Sequence, residues 1–184
     1  MNDTTEIKKK PEKKLLYPFW AMLLGSIMLV MTALMPMATA STEFREYLEA
    51  NPNTVSDKLL DMPNKETINL SLIKLGKIYT KAMKIERVKA ESITYLVIIT
   101  VFIFFSLLSL LLSWLKKPIG TIVSGLLALA TFILLKAEFT FRGIIPNNRY
   151  VWGFAPPIIY ISIAATLAGA VILIFLRHNN HNNI

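Results

Sequence analysis

Apolar residues are gathered into four blocks along the chain, and the charged residues lie in the stretches between those blocks. No charge interrupts residues 15–40, 93–115, 119–135 or 158–176. A transmembrane helix needs about 20 predominantly apolar residues, with a range of roughly 17 to 25. The pattern therefore predicts an all-α integral membrane protein with four transmembrane helices, of which the last three are the clearest.

The ends of the blocks carry residues typical of a membrane surface. Trp114 closes the second block and is followed by Lys116 and Lys117, while Arg177 closes the fourth. Aromatic rings and long basic side chains favour the interface between lipid and water. We therefore interpret 116–118 as a short turn and 1–14 and 177–184 as polar tails, with 1–14 disordered and basic.

The first block, within residues 15–40, allows a second interpretation. A basic stretch precedes it, and Ala38-Thr39-Ala40 ahead of Ser41 has the small-residue spacing of a signal-peptidase site. The apolar stretch is longer than the roughly 7 to 15 residues of a signal-peptide core. We therefore favour an uncleaved first span over a removed signal.

Residues 41–92 form the largest stretch outside the apolar blocks, and their second half is amphipathic. Ile68, Leu72, Leu75 and Tyr79 recur at steps of three and four, which places them on one face of a helix. Asn64 is a candidate N-cap, and neither glycine nor proline occurs from Lys77 to Leu115. We therefore expect one rod of about 70 Å that continues into the second span.

Lysines on the opposite face allow two interpretations of this helix. In the first interpretation, the apolar stripe packs against neighbouring helices and the lysines face water, as charged stripes commonly do. Alternatively, the helix docks on a partner subunit or on anionic lipid. For that second case the candidate contacts are Leu72, Leu75, Tyr79 and Lys81.

Residues 136–157 combine many aromatic residues with two arginines. Two short β-prone runs flank the turn-forming Pro146-Asn147-Asn148, which predicts a hairpin or an ordered cap. The aromatic residues fit an interfacial belt. They also fit a recognition surface in which Arg142, Arg149 and Trp152 contact a partner.

Basic residues give conflicting signals about orientation. Five lysines precede the first block, which places the N-terminus in the cytoplasm by the positive-inside rule. Lys81, Lys84, Arg87 and Lys89 precede the second block and favour the opposite arrangement. The first helix usually dominates, so we predict that both termini are cytoplasmic and that 41–92 and 136–157 are extracytoplasmic.

The amino-acid composition argues against several classes of protein and several kinds of chemical site. The 184 residues are 54% hydrophobic and only 17% charged, with a mean hydropathy of +0.50, which argues against a soluble enzyme or a nucleic-acid-binding domain. The net charge of +8 fits contact with anionic lipid instead. The chain has no cysteine, and its only histidines, His178 and His181, lie in the tail. We predict no catalytic residue, cofactor or metal site; Glu43, Glu46, Asp57 and Asp61 are acids without a fixed geometry.

Small residues recur within the apolar blocks at a spacing that favours close helix packing. Serines also recur on one face of the second block, where we expect hydrogen bonds across or along the helices rather than a pore lining. The predicted packing positions are Gly25, Gly120, Ser124, Ala165 and Gly169.

The absence of a chemical motif leaves interaction surfaces as the basis for a functional prediction. We expect a non-catalytic accessory or structural subunit of a larger membrane complex, such as a secretion, transport or envelope assembly. Its partners are membrane lipids and other membrane-protein subunits or a second copy, and the expected site is the bacterial plasma membrane. The alternative is a homo-oligomeric pore or small transporter.

Overall fold

The computed structural model describes residues 12–55 and 62–181, and it describes side chains for 16–55 and 62–179. The fold is mostly helical, with one small sheet. The helices are α1 Glu12–Met31, α2 Thr42–Ala50, α3 Asn64–Thr67, α4 Leu72–Ala82, α5 Lys89–Trp114, α6 Pro118–Phe141 and α7 Ala155–His181. The strands are β1 Pro36–Ala40, β2 Asn69–Ser71 and β3 Tyr150–Trp152.

Three helices are long and apolar enough to cross a membrane. They comprise Glu86–Trp114, Pro118–Phe141 and Ala155–Asn179, so the helical stretches extend beyond the predicted 93–115, 119–135 and 158–176. The apolar part of α1, Leu16–Met31, is shorter. Length and composition thus place three spans in the protein, and they agree with the three clearest apolar blocks.

The four long helices form an antiparallel bundle. α1 packs along α7 and α5, and α6 packs along the same two helices, so that each helix has two close neighbours. Aromatic and aliphatic side chains such as Phe102, Phe132 and Ile159 fill the centre and are fully buried. The short 114–118 connection makes α5 and α6 direct antiparallel neighbours.

Small residues bring α1 and α7 into direct backbone contact. A Cβ atom on Gly169 would lie 2.5 Å from the Met22 backbone nitrogen and 2.7 Å from the Pro18 carbonyl oxygen. A Cβ atom on Gly25 would lie 2.8 Å from the backbone nitrogen of Thr166. Two of the predicted packing positions therefore lie where the two helices approach most closely.

Hydroxyl groups link three helices inside the bundle. The Ser26 hydroxyl in α1 lies 2.8 Å from that of Ser113 and 3.5 Å from that of Ser109, both in α5. Ser113 in turn donates to the Thr121 hydroxyl in α6 at 3.4 Å. Ser106 donates to the carbonyl of Phe102 within its own helix. These contacts agree with the expectation of hydrogen bonding among the serines.

A three-stranded antiparallel sheet lies at the end of the bundle where α1 ends and α7 begins. β1 is the central strand, and Ala38 pairs with Leu70 of β2 and with Trp152 of β3. The fold is therefore mostly helical but not entirely so, and the assignment of all of 15–40 to a helix is wrong because 36–40 form β1. After the turn at 32–35, extended backbone at β1 satisfies its hydrogen bonds with two partner strands.

The amphipathic segment is not one rod that continues into the second span. α4 begins after Ser71, whose hydroxyl accepts a hydrogen bond from the Lys74 backbone N–H, and it ends at Ala82. A bend and the short 3₁₀ turn Glu86–Val88 separate it from α5. This break lets α4 lie against α5 and bury its apolar face, which a straight rod would leave exposed.

Asn64 occupies a different position from the predicted N-cap. It is the first residue of the short helix α3 and is buried. Its side-chain amide donates to the carbonyl of Asn51 at 2.8 Å and to the hydroxyl of Thr54 at 3.0 Å. Asn64 therefore fixes the turn that follows α2 rather than starting the amphipathic helix.

The predicted loop 136–157 is partly helical. α6 continues through Phe141, and the first β-prone run forms no strand. The second run forms β3, which pairs with β1 instead of folding back as a hairpin. We call the described residues outside the four long helices (32–55, 62–88 and 142–154) the cap.

One apolar core runs from the bundle into the cap. It joins Phe102 and Phe132 in the bundle to Leu75, Met37 and Ile145 in the cap. Because such cores are closely packed, the shared core fixes the position of the cap relative to the bundle. The cap is therefore a layer docked on the bundle, and its surface faces away from the helices.

Candidate interaction surfaces of the cap

Two of the predicted partner contacts on α4 are buried within the chain. Leu72 is fully buried and Leu75 is 4% exposed. Both belong to the protein's own core, because α4 uses its apolar face to pack on the protein's own helices. Leu72 has no exposed surface, so the prediction that it binds a partner is wrong. Leu75 also lines the cap cavity described below, and its contact with a partner stays a prediction.

Tyr79 joins α4 to the bundle through an aromatic cluster. Its ring centroid lies 5.0 Å from that of Tyr95 in α5 and 6.2 Å from that of Phe139 in α6. Burial, followed by the nearby Tyr95, raises the pKa of Tyr79 above its ordinary value. Tyr79 therefore keeps its proton and acts as a packing residue.

Most lysines on the other face of α4 reach solvent. Lys77, Lys81 and Lys84 are exposed. Lys74 instead donates from Nζ to the carbonyl oxygens of Glu66 at 2.6 Å and Asn69 at 3.2 Å. Lys81, the predicted contact, thus lies on an exposed face, while Lys74 holds α4 against the preceding segment.

Arg142 makes its ionic contacts within the chain. Its Nη1 atom lies 2.6 Å from Glu91 Oε1 in α5, and its Nε atom lies 3.2 Å from Glu138 Oε2 in α6. These contacts connect the cap ends of two helices. Lys136, near the same end of α6, lies over the rings of Trp152 and Tyr160 at 5.9 and 5.5 Å.

Aromatic residues near the cap divide into packed and exposed groups. Trp152 in β3 is half-buried and packs against the core. Phe141 is 90% exposed at the end of α6, and Phe154 is 73% exposed before α7. Exposed rings at the ends of apolar helices fit an interfacial belt better than they fit a pocket.

Arg149 is exposed and lies against an aromatic ring. Its guanidinium is 5.5 Å from the Phe44 ring centroid, and the Tyr150 ring meets the same phenyl ring edge-on at 5.6 Å. The Asn147 side-chain oxygen accepts hydrogen bonds from the backbone N–H groups of Arg149 and Tyr150. The turn thus orients Arg149 without an acidic partner among the described residues.

A cavity of about 670 Å³ lies beside Arg149 in the cap. Its volume falls within the roughly 300–1,000 Å³ range of small-ligand and anchor pockets. Apolar side chains form most of the wall, and Arg149 is the only charged residue among the described residues that line it. The predicted contacts Leu75 and Tyr79 lie in the wall as well. The other lining residues are Ala38, Phe44, Tyr47, Leu48, Met62, Asn64, Thr67, Leu70, Ile78, Ile144, Ile145, Asn147 and Tyr150.

Sequence reasoning missed the part of this cavity that α2 contributes. Phe44 and Tyr47 are three residues apart, and their rings stack at 6.1 Å. Residues three apart lie on the same face of a helix, so both rings project from one side of α2. The sequence did not reveal that residues about 100 positions later, including Arg149, would meet this face.

The remaining predicted packing residues have different surroundings. A Cβ atom on Gly120 would meet only the flexible end of Leu112 at 3.0 Å. Ser124 is buried and donates to carbonyls of its own helix. Ala165 is half-buried. Only Gly25 and Gly169 lie at a close backbone approach between helices.

Two of the four acidic candidates lie within the part of the chain that the structure describes. Glu43 and Glu46 are exposed on α2, while Asp57 and Asp61 lie outside the described residues. Within the part of the chain that the structure describes, no three His, Cys, Asp or Glu side chains are grouped to hold a metal ion. The His181 side chain also falls outside that part, as do tail residues 1–11 and 182–184.

The fold and surfaces together define a mostly helical protein with three helices capable of spanning a membrane and a mixed cap at one end. Comparisons with protein-family models, curated proteins and solved structures found no match. The functional argument therefore rests on the geometry of this chain.

Proposed function

We propose that α1 is a fourth, retained span and that the protein lies in a bacterial plasma membrane with both termini cytoplasmic. α1 contains 20 residues, a length of about 30 Å, and packs along a candidate span over its length. Residues 38–40 are the last three of the central strand, so cleavage after Ala40 would remove β1 together with α1 from the rest of the cap. The five lysines that precede the apolar part of α1 support the cytoplasmic placement.

The role we propose is that of a non-catalytic accessory subunit in a larger membrane complex. The observation that carries this proposal is the cap cavity, which is open, largely apolar and bordered by Arg149. Interface hot spots commonly consist of an aromatic or apolar anchor in a pocket with arginine nearby. The cap presents both features on a surface directed away from the bundle.

The charge at the cavity defines the partner chemistry. Arg149 is the one charged residue among the described residues that line the cavity, and its side chain is exposed. A complementary segment therefore carries an apolar side chain that enters the cavity and a carboxylate that reaches Arg149. We propose that this segment belongs to the extramembrane part of another membrane-protein subunit.

A crosslinking experiment tests this role in the full chain. A photoreactive residue at Tyr47, on the cavity wall, should form one dominant adduct with a membrane protein in the native cells. Adding Arg149→Glu should lower the adduct yield about tenfold, because it places like charges together. Reversal of one acidic residue near the crosslinked position in the partner should restore the yield.

Arg45 supplies the matched control. It is an exposed arginine on α2 and does not line the cavity. Arg45→Glu makes the same charge change and should leave the yield within about twofold. Equal yields from the Arg149→Glu and Arg45→Glu variants would contradict the proposed contact.

The alternative of a pore or small transporter has less support. Several bundle hydroxyls contact one another or helix carbonyls, as Ser26 and Ser113 do, and such groups serve helix association. Ion flux through liposomes that contain the purified protein would favour the alternative. We expect no flux above that of protein-free liposomes.

A further inference from the structure

A second cavity lies at the end of the bundle opposite the cap. It has a volume of about 470 Å³ and lies between the start of α6 and the last turns of α7. Its lining is formed by Lys116, Lys117, Pro118, Ile119, Gly120, Ile174 and Arg177. Three cationic side chains and a largely aliphatic wall therefore share one small space.

The described residues around this cavity carry positive charge without a balancing acid. No acidic side chain lines the cavity within 16–55 and 62–179, the ranges whose side chains the structure describes. Every acidic side chain that the structure describes belongs to the cap or to the cap ends of α5 and α6, such as Glu91 and Glu138. Three cations therefore face solvent and the membrane surface at the far end of the bundle, where an anion would be attracted.

Backbone and side-chain contacts order the cations. Arg177 donates from Nη1 to the Lys116 carbonyl oxygen at 3.1 Å, which joins the end of α7 to the turn between α5 and α6. Lys116 has a φ of 55° and holds its ammonium 5.2 Å from the Phe19 ring centroid. Arg177 has further N–H donors, and guanidinium groups bind phosphate through paired donors.

The apolar side of the cavity continues onto the helix surface. Ile119 is 69% exposed, and Trp114 and Tyr17 at the same end of the bundle are 70% and 80% exposed. Indole and phenol rings favour the headgroup level of a bilayer. An anion held here therefore lies at headgroup depth, and an attached acyl chain can run along α6 past Ile119.

We propose that this cavity binds the phosphate headgroup of one anionic phospholipid, with Arg177 and Lys117 as its main contacts. The positive charge selects an anionic over a zwitterionic headgroup, and the aliphatic wall selects a lipid over free phosphate. This inference is independent of the accessory role, since it concerns the opposite end of the bundle. It does require that α6 and α7 span the bilayer.

Native mass spectrometry and thermal unfolding of the full chain test the site. The purified protein, held in phosphatidylcholine, is titrated with phosphatidylglycerol, and the retained lipid and the Tm are measured. One phosphatidylglycerol should be retained per chain and Tm should rise. The triple variant Lys116→Asn, Lys117→Gln and Arg177→Gln should weaken retention at least tenfold, and asparagine tolerates the positive φ at 116.

A second triple variant controls for total charge. Lys77→Gln, Lys84→Gln and Arg87→Gln remove two lysines and one arginine from the exposed cap. This variant should retain the lipid within about twofold. If both triple variants lose the lipid equally, bulk attraction explains binding and the proposed site is overturned.

Two further measurements keep the proposal open to refutation. Lys117→Gln alone leaves the Arg177–Lys116 hydrogen bond in place and should weaken retention about threefold even if the triple variant fails to fold. Unchanged retention would overturn the site. Inorganic phosphate at millimolar concentration should neither raise Tm nor displace the lipid; a rise equal to that from phosphatidylglycerol would assign the cavity to free phosphate instead.

Discussion

At the scale of single residues, polar groups inside the bundle are accommodated by local hydrogen bonds. The Ser26 hydroxyl donates to the Met22 carbonyl at 2.9 Å and approaches Ser113 across the helix interface. Ser124 is equally buried but bonds only within its own helix. The two serines therefore have similar burial and different roles.

This difference yields a paired prediction. Ser26→Ala removes an interhelical contact and should lower the free energy of unfolding by about 0.6 to 1.7 kcal/mol, the range measured for such bonds in membrane proteins. Ser124→Ala removes only bonds to its own helix and should cost less. Thermal or denaturant unfolding in one detergent compares the two variants. A larger loss for Ser124→Ala would contradict the assigned role of Ser26.

Some residue roles could be predicted from the sequence and others could not. Hydrogen bonds of the serines across or along the helices could be predicted, because a hydroxyl inside an apolar helix needs a nearby partner. Arg142 and Arg149 looked equivalent, yet Arg142 pairs with Glu91 and Arg149 borders a cavity. The different surroundings of the two arginines are set by residues distant in sequence, which a local sequence pattern cannot predict.

At the scale of elements, α1 and α7 associate through an approach that only glycine permits. A methyl group on Gly169 would contact backbone atoms of Met22 and Pro18, which cannot rotate away. The helices would have to separate along their length. This contact is the principal attachment of α1 to a candidate span.

Gly169→Ala should therefore destabilise the bundle by about 1 to 3 kcal/mol, the usual cost of overpacking. Gly76 in α4 supplies the control, because a Cβ atom there would meet only a Leu96 methyl at 4.0 Å. Gly76→Ala should be neutral or stabilise by up to about 1 kcal/mol, since alanine favours helix. Unfolding midpoints measure both, and equal midpoints would refute the close approach.

Periodicity predicted the helical elements better than the strands. The apolar stripe of α4 was correctly assigned to one helix face, and burial of Leu72 and Leu75 agrees with that pattern. The break after Ala82 was missed because no glycine or proline marks it; packing against α5 produces it. β1 was missed because its small apolar residues continue the hydropathy of the first block, and its hydrogen-bond partners are distant in sequence.

At the scale of the whole molecule, the cap and the basic turn lie at opposite ends of the bundle. Lys77 is exposed on the cap and Lys117 is exposed at the turn. The chain has no native cysteine, so one introduced thiol can be labelled selectively. The two positions therefore report the orientation of the protein independently.

We expect a membrane-impermeant maleimide to label Lys77→Cys on intact cells and to leave Lys117→Cys unlabelled until the cells are lysed. This result follows from an extracytoplasmic cap and cytoplasmic termini. The reverse pattern would invert the proposed orientation. Labelling of both positions on intact cells would contradict the four-span arrangement.

The central position of β1 also has a consequence for biosynthesis. The Ser41 hydroxyl, next to β1, bonds to the Asn148 carbonyl, 107 residues later in the chain. At about 5 to 20 residues per second, a ribosome needs on the order of 10 s to make that stretch. Throughout that interval β1 has emerged without β3, and its unpaired edge is open to pairing with other nascent chains. The sheet therefore stays incomplete until β3, which directly precedes α7, has been made.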